Sequence, residues 1–121
     1  MLQLLWLHMN TISWNDFEKV EMRVGRVVEV SEFPEARRPA YKLKIDFGPE
    51  LGIKRSSAQI TQLYTPEKLL GSLVVCVVNF PPKQVGPFIS EVLTCGAADE
   101  NGAIALLGFD EKNIPPGSRI Y

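Results

Sequence analysis

Asn79-Phe80-Pro81-Pro82-Lys83-Gln84-Val85-Gly86-Pro87-Phe88-Ile89-Ser90-Glu91-Val92-Leu93 joins two strand-like runs through a loop in which three prolines and a glycine surround one cation and one amide. Proline fixes φ and lacks a backbone donor, so this loop is expected to leave the sheet ladder, not extend it. The same stiffness reduces the freedom lost when the loop orders. Lys83 and Gln84, held beside Ser90 and Glu91 on so stiff a support, suit recognition as well as connection.

Upstream, Leu73 to Phe80 is an unbroken apolar run. Such a strand needs cover on both faces, from a core on one side and a helix or partner subunit on the other. Thr61 to Gly71 reads as a short helix, with Thr65 as cap, Pro66 in its first turn and Gly71 as terminator. Tyr41 to Phe47 alternates cleanly: Tyr41, Leu43, Ile45 and Phe47 share one face, and Lys42, Lys44 and Asp46 the other. Gly48 to Gly52 marks a turn, and Ile53 to Ile60 is the returning strand. Val20 to Val30 forms a long first strand whose alternation Arg26 interrupts. Gly25 lets it bend and serve two parts of a coiled sheet. Ser13 caps a helical turn to Lys19, and Trp14 and Phe17 (i, i+3) are expected to pack together over the end of the first strand.

Downstream, Phe88 to Ala97 is the next strand, and Asn101-Gly102 is a hairpin signal before Ala103 to Phe109. Residues 114–121 close over the barrel or over a partner. The count is five main strands, a helix between the third and fourth, and an added C-terminal hairpin. That order predicts an all-β OB-fold, a five-stranded Greek-key barrel with short helices. Such barrels bind oligonucleotides on the face of strands 2 and 3, flanked by the loops after strands 1 and 4. The two loops rich in proline and cations, 31–40 and 81–90, fall at those positions.

The 121 residues suit a single domain, predicted over 9–121, with ordinary hydrophobic (45%) and charged (22%) content. Residues 1–8 are apolar and too short to span a bilayer, and read as an upstream or cloning-derived extension. No membrane insertion is expected, and the protein is expected to be cytoplasmic. A net charge of −1 provides no global attraction for a polyanion, so binding must use a local patch. Within 37–55, Arg37, Arg38, Lys42, Lys44, Lys54 and Arg55 face only Asp46 and Glu50. Ser56-Ser57-Ala58-Gln59 adds small hydroxyls that let a sugar-phosphate backbone approach. Cys76 and Cys95 read as reduced thiols, and His8 is the only histidine. No GxGxxG, P-loop, metal-ligand spacing or nucleophile–base pair occurs, so neither catalysis nor a cofactor is expected.

With the segments placed, further motifs stand out: Asp16-Phe17-x-Lys19-Val20 with Arg23-Val24-Gly25, Phe33-Pro34-Glu35-Ala36-Arg37, and Tyr41-Lys42-Leu43 before Asp46-Phe47-Gly48. Ser56-Ser57-Ala58-Gln59-Ile60 and Asn79-Phe80-Pro81-Pro82-Lys83-Gln84 complete the pattern. From about Ile12 to Tyr121 the sequence resembles the CsaA family, and more distantly the tRNA-binding OB domains of methionyl- and phenylalanyl-tRNA synthetases. The resemblance implies an OB-fold, a homodimer and structure-directed tRNA binding. It also implies an alternative role as an export-related chaperone for unfolded or pre-secretory polypeptides. Ser90 matches a serine that contributes to RNA contact in the related domains, and Leu93 stands where their methionine would be.

The expected RNA site therefore has two parts. Arg37, Arg38, Lys42, Lys54, Arg55 and Lys83 neutralise phosphates, while Ser56, Ser57, Asn79, Gln84 and Ser90 meet ribose or base edges. Few aromatic residues lie near this face, which favours the shape of a folded RNA over a row of stacked bases. The run 73–78 and the apolar termini are candidate dimer surface.

Overall fold

Alternation and turn chemistry produce the expected sheet. The computed structural model describes residues 9–121; the extension expected at 1–8 lies outside the described residues. Ser13 caps α1 (Trp14–Glu18) through a reciprocal pair, Asp16 N to Ser13 Oγ at 3.1 Å and Ser13 N to Asp16 Oδ2 at 3.0 Å. Strands β1 (Met22–Glu32), β2 (Tyr41–Asp46), β3 (Ile53–Ala58) and β4 (Leu73–Val77) follow, with α2 (Gly48–Leu51) after β2 and α3 (Pro66–Leu69) before β4. Then come β5 (Lys83–Val85), β6 (Phe88–Ser90), β7 (Leu93–Thr94), β8 (Gly96–Ala98) and β9 (Ile104–Leu106).

The main sheet is antiparallel, in the order β3-β2-β1-β4-β7. Strand β1 does serve two partners: Met22–Arg26 pair with β4, and Arg26–Glu32 pair with β2 around a bulge between Val27 and Glu29. Arg26 is the changeover residue. Gly25 permits it, because a Cβ there would collide with Ile45 and lie 2.7 Å from the Phe47 ring. The alternating faces of β2 put Leu43, Ile45 and Phe47 into the core with Leu69, Val74 and Cys76.

Five local expectations change. Gly48–Leu51 closes as a short helix with Pro49 in its first turn, and the expected 61–71 helix contracts to Pro66–Leu69 under its Thr65 cap. The loop after β4 forms a ladder of its own, with β5 paired to β6. Pro81 and Pro82 lie before that ladder and Gly86 (φ 56°) and Pro87 in its turn, so no ladder donor is lost. The strand expected over 88–97 is broken into β6, β7 and β8. Finally, Trp14 does not pack over β1 but is 82% exposed.

Barrel closure explains the break after β6. Glu91 N donates to Arg55 O (2.8 Å), and the Glu91 carboxylate in turn accepts from Arg55 N (3.0 Å). Two residues further along β3, Ser57 N donates to Ser90 Oγ (3.1 Å). Side chains thus satisfy edge donors of β3 that a regular ladder would pair with carbonyls. At the other end, residues 117–120 run beside Met22–Val24, with Val24 N to Ser118 O at 2.8 Å and Gly117 N to Val24 O at 2.7 Å. Glu21 bridges Arg23 (2.9 Å) and Arg119 (2.8 Å), and chiefly the Arg23 hydrogen bond holds its carboxyl below the usual range.

Strand β4 finds cover for both faces within the one chain. Val74, Val75, Cys76 and Val77 are between 0 and 7% exposed, so this run does not provide the dimer surface expected of 73–78. Both thiols are free. Burial pushes the Cys76 thiol up to about 12, against a smaller opposing effect of its Thr94 hydrogen bond. Among the described residues, no helix is long and apolar enough to cross a membrane, and no group of three metal-ligating side chains assembles.

Candidate nucleic-acid interface

Antiparallel pairing of β2 with β3 sets Lys42 opposite Ser57 and Lys44 opposite Arg55, on the face turned away from the core. Two loops close on this face. Phe33, from the β1–β2 loop, meets Phe88 of β6 edge-on, with ring centroids 5.5 Å apart and planes at 61°. Lys42 Nζ lies 5.5 Å from the Phe33 ring and the Arg55 guanidinium 5.8 Å from Phe88. The aromatic clasp is thus flanked by one cation on each side, each charged group held near a ring face.

The cations differ in availability. Lys44 pairs with Glu29 at 3.5 Å, and Arg55 Nε with Glu91 at 3.2 Å. Burial pushes the Glu91 carboxyl up, but the Arg55 backbone N–H, the Arg55 guanidinium and the nearby Lys54 charge together hold it below the usual value. Among the described residues, Arg37, Arg38, Lys42, Lys54 and Lys83 have no carboxylate within ion-pair distance. Beside the clasp, a hollow of about 550 Å³ runs between Ser57 and the β5–β6 hairpin, walled by Lys83, Gln84, Phe80 and Leu93.

The expected site residues therefore separate. Lys42, Arg55 and Ser57 share the outer strand face; Lys83 and Gln84 overhang it from the hairpin. Arg37 and Arg38 are exposed on the β1–β2 loop, where Arg37 lines a different hollow with Thr61. Lys54 stands on the opposite face of β3, in register with buried Ile45. Ser56 is a correction: it is fully buried, donating to Val92 O (3.2 Å) and sharing a 2.8 Å hydrogen bond with Thr94 Oγ1. Strand parity turned it inward. Asn79 and Ser90 carry structural bonds: Asn79 accepts from Glu21 N (3.1 Å) and donates to Lys19 O (2.7 Å), and Ser90 takes the Ser57 N–H and donates to Val92 O (3.3 Å). Gln84 Nε2 bonds Gly86 O across its own turn (2.7 Å).

Lys44 and Phe33 complete the face and were outside the expected set. The alternation of β2 already places Lys44 with Lys42. The Phe33–Phe88 contact, spanning two distant loops, leaves no local signal.

A small OB barrel with cations and hydroxyls on its β2–β3 face has, as a class, the architecture of barrels that bind oligonucleotides and oligosaccharides. The family model described as "Putative tRNA binding domain" matches residues 22–119. A CsaA chaperone protein from Picrophilus torridus has a similar solved structure, at 50% identity and a TM-score of 0.85 over 92% of this chain and all of that one. A chaperone CsaA from Bacillus anthracis is 48% identical, with a TM-score of 0.85 over 93% of this chain and all of that one. The methionine–tRNA ligase of Thermococcus kodakarensis is 36% identical over 93% of this chain, which spans only 14% of the ligase. The chain belongs to the tRNA-binding domain family and, within it, to the CsaA proteins.

Proposed function

We propose that this chain binds folded tRNA through the outer face of β2 and β3, as a cytoplasmic binding module and not as an enzyme. The observation that carries the reading is the Phe33–Phe88 clasp, which draws both loops onto the strand face bearing Lys42, Arg55 and Ser57. Lys42, Lys83, Arg37 and Arg38 neutralise phosphates, Arg55 joins them from its Glu91 pair, and Ser57 and Gln84 meet ribose or base edges. Ser90 and Asn79 position this surface, and Lys54 contributes charge from the barrel rim. Because the two rings are spent on each other, the face has no row of open aromatic platforms, which favours shape recognition over base stacking. Titration of tRNA across salt concentrations, with the parent and Lys83→Ala, tests this reading. A steep slope, made shallower by about one unit in the variant, is expected. Equal slopes remove Lys83 from the site, and absence of binding at low salt overturns the assignment.

A single patch of this size binds weakly, so the working unit is a homodimer presenting two patches to one RNA. Ile12, Trp14 and Tyr121 are 64, 82 and 97% exposed around an apolar hollow of about 720 Å³, and support that surface. The second reading is a chaperone for unfolded or pre-secretory polypeptides. Phe80 and Leu93, 55 and 51% exposed beside Lys83, offer an apolar groove for an extended chain. Competition between tRNA and an unfolded polypeptide discriminates: suppression of aggregation with no tRNA affinity favours the chaperone.

A further inference from the structure

A second cationic hollow, of about 430 Å³, opens between α3, the start of β4 and the segment after β9. It shares no lining residue with the β2–β3 face or the hairpin groove. Three cations reach it from three separate elements: Arg26 from β1, Lys68 from α3 and Lys112 from the loop after β9. No carboxylate lines it, and among the described residues none of the three cations has an ion-pair partner. Like charges gathered without a counter-charge cost stability unless an anion joins them.

The walls are fixed and partly aromatic. Tyr64 is held at both ends, its hydroxyl accepting from Leu106 N (2.8 Å) and its carbonyl accepting from the Tyr41 hydroxyl (2.9 Å). Arg26 is likewise anchored, with Nη1 donating to Gly71 O at 2.8 Å. Gly71, at φ 86°, turns that carbonyl toward the guanidinium where a side-chain-bearing residue would be strained. Phe109 and Leu107, 38 and 46% exposed, form the apolar rim. The volume lies in the range of small-ligand sites.

We propose that this hollow binds a nucleoside monophosphate, either free or as the phosphorylated end of an RNA strand. Three cations match the dianion of a phosphomonoester better than a carboxylate, which would leave two charges uncompensated. Tyr64, Leu107 and Phe109 line the hollow and offer a flat base aromatic and apolar surface, with Lys68 Nζ already 5.9 Å from the Tyr64 ring centroid to meet its phosphate.

Adenosine 5′-monophosphate titrated into isotopically labelled full chain tests this. Shifts are expected at Tyr64, Leu107 and Phe109, with adenosine and inorganic phosphate each binding more weakly. Lys112→Gln and Lys68→Gln, both at exposed positions, are each expected to weaken the monophosphate about tenfold. Lys42→Ala is expected to leave it unchanged, which separates this site from the tRNA face. A short 5′-phosphorylated RNA that binds more tightly than the mononucleotide identifies a strand end as the source; equal affinity identifies the free nucleotide. The proposal is overturned if the monophosphate leaves those three residues unshifted, or if both lysine variants bind it as the parent does.

Discussion

Glu91 closes the barrel against Arg55 with its side chain: one carboxylate oxygen accepts the Arg55 backbone N–H at 3.0 Å and the Arg55 Nε at 3.2 Å. The same residue ends β6 and neutralises a cation of the candidate RNA face. Its substitution separates the two roles. Glu91→Ala removes the acceptor of a β3 donor at an exposed edge and is expected to cost about 0.5–1.5 kcal/mol in urea unfolding, an effect that an intact fold with altered binding would not show.

The pH dependence follows from the same contact. The Glu91 carboxyl lies below its ordinary value in the folded chain, so its contribution is complete above the unfolded carboxylate range. It is lost as pH falls through the lowered folded value. Unfolding midpoints measured between neutral and acidic pH are expected to fall less in Glu91→Gln than in the parent.

Ser90→Ala removes the acceptor of the Ser57 N–H. The expected result is a loss of about 1 kcal/mol in stability with tRNA affinity, measured at low salt, nearly unchanged. A large affinity loss at full stability would instead make Ser90 a direct RNA contact.

Phe88→Ala releases the hairpin from Phe33. Loss of the aromatic pair is expected to cost about 1 kcal/mol beyond the lost burial, and to weaken tRNA binding with the salt slope preserved, since no phosphate contact is removed. Binding isotherms at three salt concentrations check this.

Trp14→Ser is expected to shift the chain toward monomer in sedimentation equilibrium without lowering its unfolding midpoint, because the ring is exposed in the single subunit. A lower midpoint with unchanged assembly would place Trp14 in the fold instead of an interface.

The first four strands, the core face of β2 and the cap of α1 were legible along the chain, because each depends on neighbours two to four residues away. Alternation puts Leu43, Ile45 and Phe47 inside, and Ser13 finds Asp16 three residues on. The parity argument also contains the fate of Ser56 and Lys54, but only once the register of β3 against β2 is known. That register is a pairing between segments, and a one-residue slip would exchange the two faces.

What no local pattern conveys is the meeting of Phe33 with Phe88, the replacement of a ladder by Glu91 and Ser90, and the gathering of Arg26, Lys68 and Lys112 around one hollow. Each joins residues more than thirty positions apart. Closing the barrel decides such distances. Residue order alone determined which groups of β2 would face water, and only the closed tertiary structure decided that Ser56 would not and which groups face one another.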